Sequence, residues 1–315
     1  MKVLSLFDGI SCGRLALDRA GIPVENYYRS EIDKYANIIA KKNYPDSIDL
    51  GDVIEITETP KDINLLIGGS PCQGFSFAGK QLNFEDPRSK LFFEFVRILK
   101  EGKPKYFLLE NVMMKQEYQD IISGYLDVKP ITINSSLVSA QNRKRLYWTN
   151  IPVQQPEDKG ILLKDIVFKD AENPTVCMHN LYGGFNEKEH RTFLEKSPTF
   201  RTAAGGGHIP SLLLSKEAKI YMDREVKGGR NHWDFTHHSD VRNCKSATVV
   251  ANFYKGVPYN VLKDWNCIRK FDPIECERLQ TLPDNYTEGV SNTQRYKTLG
   301  NGWTVDVVAH ILRGV

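Results

Sequence analysis

The first 150 residues alternate short apolar runs with helix-like stretches, and that alternation leaves few folds open to the chain. Val3–Phe7, Tyr27–Ile32, Ile63–Ile67 and Tyr106–Leu109 read as strands. Arg14–Ala20, Lys34–Lys42 and Ser89–Lys100 have helix composition, and Gly21 is a stop for the first of them. In the third, Leu91, Phe92, Phe95, Val96 and Leu99 share one stripe. Gln116–Tyr125 adds a helix and Ile131–Val138 a strand. Val3–Phe7, Ile63–Ile67 and Tyr106–Leu109 are mostly apolar, as expected for strands buried on both faces. Repeated βα units of this kind imply an α/β fold with a parallel sheet between layers of helix.

The pattern changes near residue 150, where Pro152 and Pro156 mark a break. The stretch beyond them is rich in Gly, His, Asn and Thr, holds six of the seven histidines, and has only short β-like runs. Helix signals return at Pro273–Leu279 and Val305–Leu312. Two units are expected: residues 1–160 with 293–315, and a smaller, mostly β unit over 161–292.

Composition sets the class. With 41% hydrophobic and 26% charged residues, the chain reads as a soluble globular protein. A net charge of +3 permits a nucleic-acid partner without arguing for one. The six cysteines form no C-x-x-C pair, which fits a reducing compartment better than a disulfide framework. Asp8 breaks the N-terminal apolar run, so no signal peptide is expected, and no stretch is long enough to span a bilayer. A cytoplasmic protein is expected. His232, His237, His238 and Cys244 match no standard zinc spacing, so no metal is expected.

The chemistry gathers after the strands. Phe7-Asp8-Gly9-Ile10-Ser11-Cys12-Gly13 joins the first strand to the first helix, where glycine and free N–H groups let a ligand approach. Glu31 ends the second strand, where a carboxylate can accept from ribose hydroxyls. Asp52 falls where a third strand should end and could accept from an adenine amino group. Gly69-Ser70-Pro71-Cys72-Gln73-Gly74-Phe75-Ser76 puts a cysteine just past a buried strand, at the sheet edge where ligands bind. Glu110-Asn111-Val112 follows the next strand, which would bring a carboxylate beside that thiol. In Gln141-Asn142-Arg143-Lys144-Arg145, the two arginines would point to one side if the segment is extended.

In this order, the pieces resemble the DNA (cytosine-5)-methyltransferase family. The Phe7-Asp8-Gly9 loop, Glu31, Asp52, Pro71-Cys72-Gln73, Glu110-Asn111-Val112 and Gln141-x-Arg143-x-Arg145 are similar to its successive motifs. Glu275–Pro283 and Gly300-Asn301-Gly302-Trp303-Thr304-Val305 resemble its late ones. Phe7-Asp8-Gly9-Ile10, Arg88–Phe95 and Gly302-Trp303 look most like the branch containing the mammalian de novo enzymes.

The resemblance implies a Rossmann-like S-adenosylmethionine-dependent methyltransferase sheet with a smaller, mostly β target-recognition domain. It implies S-adenosylmethionine held by Phe7, Asp8, Gly9, Ile10, Cys12, Glu31, Ile32, Asp52, Val53, Gly69, Pro71 and Leu91, with Asn301, Gly302 and Trp303 closing over it. Cys72 would attack carbon 6 of a cytosine flipped out of duplex DNA. Glu110 would hydrogen-bond the base, and Arg143 or Arg145 would brace the base or its phosphate. Gln73, Ser76, Arg230, Thr248 and Val249 are the candidate DNA contacts. A bacterial or phage source and a cognate restriction endonuclease fit the same resemblance. Three rivals stand beside it. A tRNA cytosine methyltransferase shares the catalytic set, but the Cys-Phe-Thr signature of that branch is missing. A non-catalytic DNA-binding relative would have lost the nucleophile or the acids, and an NAD-dependent dehydrogenase would need a different glycine spacing.

Overall fold

The computed structural model describes residues 1–70, 87–168, 175–178, 191–193, 195–197, 210–213 and 268–315. Its main sheet is built from β1 (Lys2–Leu6), β2 (Asn26–Ser30), β3 (Ile48–Asp49), β4 (Leu65–Gly68), β5 (Tyr106–Val112), β6 (Ile131–Asn134) and β7 (Lys144–Thr149). The seven strands lie in the order β3-β2-β1-β4-β5-β7-β6. β1 to β5 pair in parallel, and β7 runs antiparallel to both β5 and β6.

Alternation of side chains across the strands explains why both faces are covered. Val3, Leu65, Ile67, Leu108 and Tyr147 enter one hydrophobic cluster. Their neighbours Leu4, Leu66, Phe107, Leu109, Leu146 and Trp148 enter the other. The first face is covered by α1 (Cys12–Ala20), α2 (Lys34–Asn43) and α8 (Val305–Leu312), with Ala16, Leu17, Ile39, Val308 and Ile311 buried against it. The second is covered by α3 (Pro87–Gly102) and α4 (Gln116–Leu126), which bury Phe92, Phe95, Tyr118 and Ile122. Complete burial of each large side chain contributes about 1.5–3 kcal/mol, so a helix lost from either face would be ruinous.

Local signals set several of these boundaries. Gly21 takes φ 73° and returns its N–H to Asp18 and Leu17, ending α1 as the sequence predicts. Asp33 caps α2 by accepting from the N–H groups of Tyr35 and Ala36. Three differences have physical reasons. The strand expected over Ile131–Val138 stops at Asn134, whose side chain accepts from Ser136 N and turns the chain into a 3-10 turn over Ser135–Leu137. The third strand is only two residues long, and Asp52 caps a second 3-10 turn, Val53–Glu55. The basic run ends inside a strand that no apolar run announces, β7, whose Leu146, Tyr147 and Trp148 are buried.

A second, four-stranded antiparallel sheet has the order β11-β10-β8-β9, from β8 (Thr175–Met178), β9 (Arg191–Phe193), β10 (Pro210–Leu213) and β11 (Ile268–Lys270). It is reached through the short helix α5 (Leu163–Ile166). Lys196 holds this region to the first by donating to the carbonyls of Ser136, Ser139 and Ile161 at 2.8, 3.2 and 2.5 Å.

The chain then returns. In α6 (Pro273–Leu279), Asp272 and Glu275 form a capping box around Pro273. Glu277, buried in the same helix, accepts from the N–H groups of Asn285 and Thr287 at 2.7 and 2.8 Å and is paired with Arg295 of α7 (Asn292–Asn301). Phe271, Leu279, Leu282 and Tyr286 belong to the same cluster as Val3 and Ile10. Residues 271–286 therefore pack with the first sheet, although composition groups them with the second unit. Among the described residues, no helix is long and apolar enough to cross a membrane.

Candidate active site

The β1–α1 loop is tightly coiled, with φ of 56°, 61° and 59° at Phe7, Gly9 and Ser11. The buried carboxylate of Asp8 holds it, accepting at 2.6 Å from each of the hydroxyls of Ser5, Ser11 and Tyr27. Burial pushes the Asp8 pKa above its ordinary value, against the pull of these hydrogen bonds. Its oxygens thus serve the loop's interior and leave a ligand to the backbone. Ile10, Cys12 and Val53, also expected to meet the cofactor, are 1%, 3% and 3% exposed and pack in the core. Burial pushes the Cys12 thiol up to about 12, so it stays protonated at neutral pH.

Glu31 lies beside this loop. Its Oε2 accepts from Gly9 N at 2.8 Å, and its Oε1 accepts from Ile32 N and Asp33 N at 2.9 and 2.7 Å. A carboxylate has about four acceptor positions, so Oε2 retains room for a hydroxyl. Burial is the main cause of the raised Glu31 pKa. Asp52 uses Oδ1 to cap its 3-10 turn at Ile54 N, 3.1 Å away. Two exposed apolar side chains, Ile32 at 73% and Ile54 at 63%, adjoin these acids. Hydroxyl acceptors flanked by apolar surface fit a nucleoside, so the residues present suit the cofactor that the resemblance implies.

The reactive end lies across β4 and β5. Their register places Gly68 opposite Leu109, so Gly69 and Ser70 leave the sheet beside Glu110 and Asn111. Asn111 Nδ2 lies 3.4 Å from both Ser70 O and Ser70 Oγ, while its Oδ1 accepts from Val112 N at 2.8 Å. Glu110, 8% exposed, meets Arg145 with Oε1 3.0 Å from Nε, a close ion pair instead of an aligned hydrogen bond. Its Oε2 accepts from Trp303 Nε1 at 3.1 Å.

The two arginines of the basic run take different directions. Arg145 faces Glu110, whereas Arg143 is buried and donates from Nη2 to Gly300 O and Gly302 O at 3.2 and 2.8 Å. Arg143 thus holds the end of α7, where free carbonyls favour a cation. Burial lowers its pKa to about 9, and it remains a cation at neutral pH.

Leu91 is half-buried against the second cluster, and Asn301 is exposed at the end of α7. Pro71, Cys72, Gln73, Ser76, Arg230, Thr248 and Val249 lie outside the described residues, as do His232, His237, His238 and Cys244. Among the described residues, no group of His, Cys, Asp and Glu is arranged to hold a metal ion. Sequence reasoning missed Tyr27, which helps hold Asp8, and Tyr286, whose hydroxyl donates to Ile10 O at 2.8 Å. Neither carries a spacing signal, because each acts across a long stretch of chain.

A family model described as C-5 cytosine-specific DNA methylase matches residues 1–315. The chain belongs to that family. Among similar proteins, Type II methyltransferase M1.ScrFI of Lactococcus lactis subsp. cremoris is 31% identical over 98% of this chain and 76% of its own length. Type II methyltransferase M.HhaI of Haemophilus parahaemolyticus is 26% identical over 99% of this chain and 93% of its own. The fold is shared with a mutant of Spodoptera frugiperda DNMT2, with TM-score 0.68 and 20% identity over 99% of this chain and 98% of that one. The finer likeness to the mammalian de novo branch finds no support in these comparisons.

Proposed function

We propose that this methylase transfers a methyl group from S-adenosylmethionine to carbon 5 of a cytosine flipped out of duplex DNA, through a covalent bond to Cys72. One observation carries the reading. The Glu110 carboxylate faces the segment that runs into Cys72, and a side-chain carbon at Gly69 would lie 3.2 Å from Glu110 Oε2. A general hydrogen-bonding group and the approach to a thiol thus share one sheet edge, with Glu31 and Asp52 on the neighbouring loops.

The chemistry derives from the pyrimidine. Addition of the Cys72 thiolate to carbon 6 makes carbon 5 an enamine-like nucleophile. Glu110 bonds the ring edge and offsets charge developing there, with Arg145 as its counter-ion. When bound, S-adenosylmethionine supplies an electrophilic methyl on a sulfonium. Transfer leaves S-adenosylhomocysteine; carbon 5 then loses its proton to water and Cys72 is eliminated as the thiolate, which restores the aromatic ring. The backbone of the β1–α1 loop and the Glu31 carboxylate orient the cofactor. The antiparallel sheet of β8 to β11 is the natural frame of the DNA reader.

Because the curated relatives carry Type II names, a cognate restriction endonuclease is the proposed functional partner, and the cytoplasm the proposed site of action. Cys72→Ala tests the reading: methyl transfer to duplex DNA should vanish while calorimetry still shows S-adenosylhomocysteine binding. Turnover retained in that variant would refute it. Parallel assays on duplex DNA and tRNA separate the RNA alternative, and bisulfite sequencing of DNA from expressing cells would read out the target site.

A further inference from the structure

On the proposed function, we infer that Trp303 is the positioning residue for Glu110, so that the C-terminal segment orients the base-binding carboxylate in addition to covering the cofactor. The resemblance gives Trp303 only the second role. In the structure its indole N–H reaches Glu110 Oε2 at 3.1 Å in a buried setting. Arg145 holds the other oxygen, with Nε 3.0 Å from Oε1. A hydrogen bond on one oxygen and the Arg145 cation close to the other fix the rotation of the carboxylate plane. The remaining lone pairs then face one direction, as a group that must meet a ring edge in a single geometry requires. The indole adds no charge, so Arg145 remains the counter-ion and Trp303 sets direction alone.

The surroundings hold the indole to this task. Its ring lies against the start of α1, where a methyl group on Gly13 would lie 3.4 Å from Cζ3. Arg143 anchors the preceding turn through Gly300 O and Gly302 O. A methyl group on Gly69 would lie 3.0 Å from Trp303 Nε1 and 3.2 Å from Glu110 Oε2, between donor and acceptor. Gly69 is not among the residues with positive φ, so space and not backbone conformation demands glycine there. The strand end that leads to Cys72 is therefore pared back where Trp303 and Glu110 meet.

Trp303→Phe keeps the ring and removes the N–H. Loss of a hydrogen bond to a charged group should lower kcat about tenfold to a hundredfold. The KM for S-adenosylmethionine and the affinity for S-adenosylhomocysteine should stay within about twofold of the parent. Gly69→Ala, which puts a methyl group between the indole N–H and the carboxylate, should likewise lower kcat. An unchanged kcat, or a loss confined to cofactor KM and affinity, overturns the inference.

A second readout needs no turnover. In thermal unfolding, Trp303→Phe and Glu110→Ala should be non-additive when combined, because they share one contact. Strict additivity overturns the inference whatever the substrate. Failure of the parent protein to methylate DNA would instead sink the proposed function and leave this cycle to decide the contact.

Discussion

Tyr286 donates its hydroxyl to the carbonyl of Ile10 at 2.8 Å, joining residues 276 positions apart. The bond ties the segment after α6 to the loop that carries Gly9, and both groups are buried. Tyr286→Phe should cost about 1 kcal/mol, read from urea unfolding, because it leaves a buried carbonyl without its donor. It should also weaken S-adenosylhomocysteine binding by freeing the loop. Unchanged stability and affinity together would show the contact to be incidental.

Arg143→Met keeps most of the stem and removes the guanidinium that holds Gly300 and Gly302. Leaving those carbonyls without their charged donor should cost about 1.5–3 kcal/mol in equilibrium unfolding. A change below about 0.5 kcal/mol, typical of surface substitutions, would contradict the anchoring role.

Glu31→Ala removes the acceptor of three backbone N–H groups and of the proposed ribose contact. Affinity for S-adenosylhomocysteine should fall roughly tenfold or more by calorimetry, given the strength of hydrogen bonds to a charged group. DNA affinity, measured by fluorescence anisotropy, should hold. Equal losses for both ligands would point to a collapsed fold instead.

Asp8 makes stability depend on pH. Its folded pKa is raised above the ordinary 3.8 by burial, so the fold binds this proton more tightly than the unfolded chain does. That contribution is complete below the ordinary aspartate value and is lost as pH rises through the folded one. Asp8→Asn cannot titrate. The stability of the parent relative to Asp8→Asn should therefore decline from acid towards neutral pH, measured as urea midpoints across a pH series. A difference that is flat, or that grows with pH, would show that the hydroxyls of Ser5, Ser11 and Tyr27 outweigh burial.

Much of the main sheet can be read from the chain because β1, β4 and β5 are short, mostly apolar runs with both faces buried. β1, β2, β4 and β5 and helices α1 to α4 fall close to where composition puts them. β7 escapes such reading because Lys144 and Arg145 open it as a charged surface would, and only the paired neighbours β5 and β6 reveal that Leu146, Tyr147 and Trp148 face the core. The site divides in the same way. Glu31 and Glu110 stand out as acids at strand ends, whereas the different duties of Arg143 and Arg145 depend on where the last helices return. Local spacing carries no information about contacts such as Arg143 with Gly302, which lie 159 positions apart.

Trp303 lies 193 positions after Glu110 in the chain, yet it meets that residue of β5. A growing chain that has completed β5 has a carboxylate without its indole partner until Trp303 has been added. Methylating power should therefore be absent before that point in synthesis. A gene cut between α6 and α7 should yield two silent fragments whose activity returns only when both are made in the same cell.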